Sequence, residues 1–101
     1  MTSPSTEDEA LSGAAFRVEG VVQGVGFRWW TKDRADELHI RGTVRNLPDR
    51  SVEVVAYGSP SALGRLRSLL QQGPANAAVH QVLESPPSHG PPPTTEFRIV
   101  P

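Results

Sequence analysis

Hydrophobic and polar residues alternate over residues 15–23, where Phe16, Val18 and Val22 share one face and polar side chains occupy most of the other. A period of two is typical of a strand with one buried face. Over residues 27–38 the hydrophobic positions recur at spacings of three and four, which predicts an amphipathic helix. A glycine-rich turn joins this predicted strand to the predicted helix.

Two further alternating segments predict a β-hairpin. Its strands cover Gly42–Leu47 and Ser51–Tyr57, and residues 47–50 form the turn, with proline and aspartate at favourable turn positions. The hydrophobic residues predicted to face the core are Val44, Val52, Val54 and Ala56.

A second helix is predicted to begin directly after the hairpin. Ser59 precedes Pro60, which is the order expected of an N-cap and the first residue of a helix. The Gly73-Pro74 pair is a typical helix end. The residues that recur at helical spacing between these signals are Leu63, Leu66, Leu69 and Leu70.

The rest of the chain predicts two more strands separated by a proline-rich loop. The first covers Ala77–Glu84, where a bulge would explain why neither face is wholly apolar. Residues 85–95 hold five of the ten prolines and predict an extended, poorly ordered loop, after which Phe97 and Ile99 alternate in a short strand. The order βαββαβ plus a short C-terminal strand predicts an α+β fold, the ferredoxin-like split βαβ sandwich. It has two helices on one face of an antiparallel sheet.

The length of 101 residues allows one domain with one core. We assign residues 14–101 to that domain and residues 1–13, which are polar and lack periodicity, to a disordered tail. No apolar stretch approaches the ~18 residues that a membrane span needs, and the acidic N-terminal segment differs from a signal peptide. We therefore expect a cytoplasmic monomer without a membrane partner. The absence of cysteine excludes disulfides, cysteine-ligated zinc and thiolate nucleophiles.

The charge of the predicted domain favours a small anionic ligand. The tail holds three of the 11 acidic residues and none of the ten basic ones, so the formal charge of −1 becomes +2 for the domain. Nine of the ten basic residues are arginine, which binds oxyanions through several donors at once. Nucleic-acid backbones usually require a denser basic surface, so we expect no nucleic-acid partner.

The glycine-rich turn over residues 19–28 is the first candidate site. Its glycines can turn backbone N–H groups toward one point at the positive end of the helix, where a phosphate or carboxylate binds without any side chain. Arg28, in the first helical turn, can add a guanidinium at that point. The alternative is that the glycines only permit a tight turn. The spacing matches neither a Walker loop nor a dinucleotide-binding fingerprint.

Asn46 is the second candidate. It has the same strand parity as Val44 and is therefore predicted to face the helices at the end of its strand. A core-facing asparagine needs hydrogen-bond partners. It could bond to the hairpin backbone beside Pro48, or it could bind a water or ligand beside the glycine-rich turn.

The residues that are missing restrict the chemistry. No Ser, Thr, Cys, Asp or His lies between Gly20 and Arg28, so a covalent phosphoenzyme has no nucleophile there. Because the three histidines lie in separate elements and match no ligand spacing, we expect no metal and no cofactor. One arginine, backbone donors and an amide suffice to hydrolyse a phosphoanhydride that has a good leaving group, such as an acyl phosphate. The histidines are His39, His80 and His89.

Two segments together resemble the acylphosphatase family. They are residues 20–28 (GVVQGVGFR) and residues 41–46 (RGTVRN), which match the pattern G-x-V-Q-G-V-x-F-R followed by G-x-V-x-N. The likeness extends from about Phe16 to Ile99. It implies a ferredoxin-like fold and metal-free hydrolysis of acyl phosphates to a carboxylate and inorganic phosphate.

The resemblance also implies a role for each candidate. Arg28 would bind the phosphate and stabilise the transferring group, and Asn46 would orient the attacking water. The backbone amides that would form the substrate cradle belong to Gln23, Gly24, Val25, Gly26 and Phe27.

Two other functions remain open at this point. A non-catalytic domain that binds acyl or carbamoyl phosphate, as found inside larger maturation enzymes, would need the same cradle. Since this chain ends soon after its last predicted strand, we expect a free-standing enzyme instead. An RNA-binding module of ferredoxin-like fold needs stacking aromatics on its central strands and a basic sheet face, and the segment Ser51–Tyr57 offers only Tyr57.

The chain departs from the family pattern at three positions. The family usually has glycine at the position of His39 and often at that of Arg50, so we expect strain or different turns there. It often has a large aromatic residue at the position of Thr43. On the first helix we expect Trp30 in the core and Trp29 partly exposed.

Overall fold

The computed structural model describes residues 11–101, which contain five strands and two helices. Their bounds are β1 Ser12–Val21, α1 Phe27–Glu37, β2 Arg41–Asn46, β3 Val52–Gly58, α2 Pro60–Gln72, β4 Ala78–Ser85 and β5 Phe97–Ile99.

The first strand begins two residues before the predicted start of the domain at residue 14. Residues 1–10 of the predicted tail lie outside the described residues. Ser12 and Gly13 pair with Gly58 and Tyr57 of β3. The predicted boundary at residue 14 is therefore corrected, because β1 continues for as long as β3 offers it a hydrogen-bonding partner.

The strands form one sheet in the order β4-β1-β3-β2-β5. The pairs β1·β3, β1·β4 and β2·β3 are antiparallel, whereas β5 runs parallel to β2. Helix α1 packs on β2 and β5, and α2 packs on β4, β1 and β3. The predicted ferredoxin-like α+β architecture is confirmed, and the parallel β5 makes the sheet mixed at that edge.

The core lies between the helices and the inner face of the sheet. Phe16, Val18 and Val22 are buried, as the alternation predicts. Full burial of one such side chain contributes roughly 1.5–3 kcal/mol. The hairpin residues Val44, Val52, Val54 and Ala56 are also all buried.

Helix α2 has the predicted beginning and end. The N–H of Ala62 donates to the Ser59 side chain over 3.1 Å, and the N–H of Gly73 donates to the carbonyl of Leu69 over 2.9 Å. The buried residues of this helix are Ala62, Leu63, Leu66 and Leu70, whereas Leu69 is half-buried. Within residues 11–101, neither helix has the length and apolar composition that crossing a membrane requires.

An ion pair joins α2 to the edge strand β4. The Arg67 guanidinium donates to both carboxylate oxygens of Glu84, over 2.6 and 2.8 Å, and this lowers the pKa of Glu84 and raises that of Arg67. Because the folded state favours the ionised carboxylate, this stabilisation is present at neutral pH and is lost as the pH falls through the pKa of folded Glu84. Both side chains are exposed, so the contribution is small.

A bulge lies in β4, as predicted for that strand. Glu19 pairs with Gln81 and Gly20 pairs with Val79, which leaves His80 as the additional residue. Gly20 has φ 137°, and a Cβ atom there would lie 2.1 Å from the carbonyl oxygen of Ala78. Only glycine fits where β1 turns toward the following loop.

The proline-rich segment covers part of the outer face of the sheet. Its residues 86–96 contain neither helix nor strand, as predicted. The Tyr57 hydroxyl on that face donates to the carbonyl of His89, and Tyr57 is buried although it does not face the helices.

Helix α1 ends at a strained residue. His39 has φ 57°, in the left-handed region, and its side chain is exposed. The following N–H, of Ile40, donates to the carbonyl of Ala35 over 2.9 Å, which returns the chain to the core. The helix therefore keeps a left-handed end that glycine would adopt at lower cost.

Replacing His39 with glycine is expected to raise the free energy of unfolding by about 1 kcal/mol, because glycine adopts positive φ without a Cβ clash. Urea denaturation checks this value. His39→Ala is the matched control, since it removes the imidazole and keeps the strained Cβ, and it should match the wild type. Equal stabilisation by both variants would mean that the imidazole, rather than the backbone, is unfavourable.

Candidate active site

The loop between β1 and α1 turns on two left-handed glycines. Gly24 has φ 76° and Gly26, the N-cap of α1, has φ 79°. A Cβ atom at either position would meet nothing within 4 Å, so the space beside both residues is open. The glycines are therefore required by the backbone conformation rather than by close packing.

The N–H groups of this loop are available to a ligand. Within residues 11–101, no hydrogen bond uses the N–H of Gly24, Val25, Gly26 or Phe27, and no side chain caps α1. The first hydrogen bond of the helix runs from the N–H of Trp30 to the carbonyl of Gly26 over 3.0 Å. Unused donors at the positive end of a helix form an anion-binding site.

Arg28 stands directly beside these donors, in the first turn of α1. Its side chain is partly exposed and, in the described part of the chain, its guanidinium has neither an ion-pair nor a hydrogen-bond partner. The first turn of the helix contains no acidic residue. A cation at a helix N-terminus is unfavourable unless an anion compensates for it, so the arrangement suits a bound oxyanion.

Gln23 attaches this loop to the hairpin. Its side-chain Nε2 donates to the carbonyls of Leu47 and Ser51, each over 2.9 Å. These two carbonyls flank the β2–β3 turn. The sequence predicted only a backbone role for Gln23, because no spacing rule indicates which distant carbonyls a glutamine will reach.

Asn46, the last residue of β2, pairs with Val52 and lies on the same face as Val44. Its Oδ1 atom is buried and has no hydrogen-bond partner among residues 11–101. The bonds to the hairpin backbone that were one alternative for Asn46 are made by Gln23 instead. A buried acceptor without a donor costs about 1–3 kcal/mol, so Asn46 is ready to accept a hydrogen bond from a water or ligand.

The structure brings the two candidate segments together. Gln23 begins the predicted cradle and bonds to Leu47, the residue after Asn46. Arg28 follows the cradle within one helical turn. The loop amides, the unpaired guanidinium and the open amide oxygen thus lie on two segments joined by one side chain.

Three further residues of α1 follow Arg28 along the helix. Thr31 is buried, and its hydroxyl is the other buried side-chain atom without a partner in the described chain. The sequence did not indicate Thr31 as a site residue, because a threonine at a buried position of a helix usually only fills space in the core. Trp29 is 63% exposed and Trp30 packs partly against the core, as predicted for the pair.

The histidines remain apart from this site. His39 ends α1, His80 forms the bulge of β4 and His89 lies in the proline-rich segment. Over residues 11–101, no three His, Cys, Asp or Glu side chains are grouped closely enough to hold a metal ion.

A larger cavity, of about 570 Å³, lies on the opposite face of the sheet. Thr43, Tyr57 and His89 line it, together with the ion-paired Arg45 and Glu53. None of the predicted site residues lines this cavity. The candidate site is therefore identified by its unpaired donors and acceptor rather than by volume.

The chain is similar to known acylphosphatases in sequence and in fold. A family model described as acylphosphatase matches residues 14–99. The chain is 48% identical over 87 residues to an acylphosphatase of Xanthomonas oryzae pv. oryzae, covering 86% of this chain and 97% of that protein. It is 52% identical over 69 residues to an acylphosphatase of Pasteurella multocida, covering 68% and 77%. The structure of an acylphosphatase from Coxiella burnetii superposes with a TM-score of 0.84 at 31% identity, covering 95% and 99%.

Replacing Gln23 with alanine is expected to lower the free energy of unfolding by about 1–2 kcal/mol, since the two hydrogen bonds that attach the loop to the hairpin are lost. Urea denaturation measures this loss. The control is Gln81→Ala, whose side chain donates only to the exposed Glu19 and whose loss should cost much less. Equal losses in both variants would contradict the role of Gln23 as the attachment of the loop.

Proposed function

Because this chain belongs to the acylphosphatase family, we propose that it hydrolyses the carboxyl–phosphate bond of acyl phosphates. The products are a carboxylate and inorganic phosphate. The observation that carries the assignment of residues is the buried, unpartnered Oδ1 of Asn46, because it offers a water-binding acceptor beside a loop of unused donors.

The loop and Arg28 bind the phosphoryl group in this proposal. The N–H groups of Gln23, Gly24, Val25, Gly26 and Phe27 surround its oxygens. The Arg28 guanidinium donates two parallel hydrogen bonds and neutralises the charge that the group carries in the transition state. These donors are held in place before the substrate arrives, so little reorganisation is needed during the reaction.

Asn46 holds the attacking water. Its Oδ1 accepts a hydrogen bond from the water and aims a lone pair of the water oxygen at phosphorus. As the new P–O bond forms, the bond from phosphorus to the acyl oxygen breaks, and its electron pair leaves on the carboxylate. The proton released by the water is taken up by the phosphate. Correct positioning of a reactant can supply several kcal/mol of the barrier reduction.

The leaving group makes this limited machinery sufficient. A carboxylate is a stable anion and departs without a general acid. No nucleophilic side chain lies between Gly20 and Arg28, so water attacks phosphorus directly. We propose that no metal or cofactor takes part.

We also propose that the enzyme is a cytoplasmic monomer that binds no nucleic acid. Supporting a monomer, the exposed large hydrophobic residues of the described chain belong to different elements. Supporting the absence of RNA binding, Tyr57 is buried beneath the proline-rich segment instead of being free to stack on bases.

Asn46→Ala is expected to lower kcat for benzoyl phosphate about a hundredfold, because the water loses its orienting acceptor. Inhibition by inorganic phosphate should stay unchanged, since the cradle is intact. Assays run in excess chelator, with Asn76→Ala as an exposed asparagine control. Wild-type turnover by Asn46→Ala would remove the water-orienting role. Phosphate binding without any turnover by the wild type would instead indicate a non-catalytic phosphate-binding domain.

Arg28→Lys is expected to raise KM and to lower kcat, each at least about tenfold, because lysine retains the charge but cannot make two parallel hydrogen bonds. Steady-state kinetics and phosphate inhibition measure both effects. The matched control is Arg65→Lys, an exposed arginine on α2 that should behave as the wild type. Unchanged phosphate inhibition in Arg28→Lys would contradict the binding role.

A further inference from the structure

A second unpaired arginine borders the predicted phosphate loop. Arg50 lies in the β2–β3 turn with φ 77°, a left-handed conformation that costs a non-glycine residue about 1 kcal/mol. Its side chain is exposed. Nothing in the backbone of the turn requires an arginine here, so its strained position needs an explanation from its side chain.

The acidic group next to Arg50 is engaged elsewhere. The Asp49 carboxylate accepts hydrogen bonds from the N–H and the hydroxyl of Ser51 and forms an ion pair with Arg17. Across residues 11–101, the Arg50 guanidinium has no hydrogen-bond or ion-pair partner. The acid of the turn is thus neutralised by Arg17 of β1, and the cation of the turn has no partner in the described part of the chain.

Arg50 faces the loop rather than open solvent alone. It lines a recess of about 410 Å³ together with Gly20, Val21, Val22 and Gln23. The recess shares Gln23 with the predicted cradle. Gln23 also bonds to the carbonyl of Ser51, the residue after Arg50, which fixes the turn relative to the loop.

Other arginines without partners do not share this position. Arg65 is exposed on α2, and Arg98 of β5 lines a separate recess beside Trp29. Along the chain Arg28 follows the predicted cradle, whereas Arg50 borders the segment that leads into it. In the proposed function the loop amides and Arg28 bind the phosphoryl group, which leaves the Arg50 guanidinium available to another anionic group of the substrate.

We propose that Arg50 is a specificity-determining residue that selects acyl phosphates whose acyl group carries a second negative charge, such as a carboxylate. This inference rests on the proposed hydrolysis of acyl phosphates and names a class of substrate for that same site. The phosphoryl group binds the amides and Arg28, and the charged end of the acyl group extends over the recess to the Arg50 guanidinium.

The test compares two substrates of equal size and different charge, 4-carboxybenzoyl phosphate and its neutral isostere 4-carbamoylbenzoyl phosphate. The measured quantity is the ratio of their kcat/KM values for the wild type, Arg50→Gln, Arg50→Lys and Arg65→Gln. Arg50→Gln keeps the Cβ and the strained backbone while it removes the charge. Arg65→Gln removes an unpaired charge far from the recess.

The wild type is expected to favour the carboxylate about threefold to fivefold, the effect of a partly exposed ion pair. Arg50→Gln should bring the ratio close to one, whereas Arg50→Lys should retain most of the preference and Arg65→Gln all of it. Added salt should reduce the preference of the wild type.

Three results would overturn the inference: a wild-type ratio near one, a ratio that Arg50→Gln leaves unchanged, or an equal loss in Arg65→Gln, which would indicate attraction by net charge alone. Failure of the proposed function is distinguishable, because the wild type would then hydrolyse neither substrate nor benzoyl phosphate.

Discussion

The Gln23 side chain makes the contact on which the candidate site depends. The loop that carries the unused N–H groups and the strand that carries Asn46 are separated along the chain by helix α1, and β1 and β2 do not pair directly in the sheet. The Gln23 amide satisfies the Leu47 and Ser51 carbonyls at once. The Asn46 amide oxygen is buried next to this contact in the chain and has no partner among residues 11–101.

Both glycine and non-glycine residues adopt left-handed backbone conformations in this structure, and the energetic cost differs between them. Gly24 and Gly26 adopt positive φ at little cost. His39 and Arg50 adopt positive φ with a Cβ atom and carry a penalty of about 1 kcal/mol each. For His39 the side chain is exposed and makes no contact that would offset this penalty. Arg50 differs because its side chain borders the segment that leads into the loop. The backbone strain therefore accompanies a proposed function at Arg50, whereas at His39 it only lowers stability.

Most of the fold was predictable because it follows local rules. The alternation of Phe16 and Val18 and the Ser59-Pro60 signal depend on nearest neighbours along the chain, and the structure confirms both. The parallel direction of β5 was not predictable, because it depends on where an eleven-residue irregular segment returns the chain to the sheet. The burial of Tyr57 has the same origin, since that segment covers an outward-facing side chain.

The candidate site was likewise predictable only in the parts that follow local rules. Glycine spacing indicated the loop, and strand parity placed Asn46 on the inner face, as the structure confirms. The attachment by Gln23, the buried hydroxyl of Thr31 and the free guanidinium of Arg50 were not predictable, because each depends on which distant groups share a partner. Asp49 is an example. Because its carboxylate pairs with Arg17, the neighbouring Arg50 has no acidic partner among residues 11–101.

Pairing of charges elsewhere concentrates the positive field near the loop. Five of the basic residues, Arg17, Lys32, Arg34, Arg45 and Arg67, are each paired with an acidic side chain. The two charges of each pair largely cancel each other at a distance. Salt screens what remains over a Debye length of roughly 8 Å at physiological ionic strength. Arg28 and Arg50 have no such counter-charge among the residues that the structure describes, and the dipole of α1 adds to the positive field at the loop. Because half of the basic residues are paired and two of the unpaired ones border the loop, the domain can attract a small dianion there although its net charge is small.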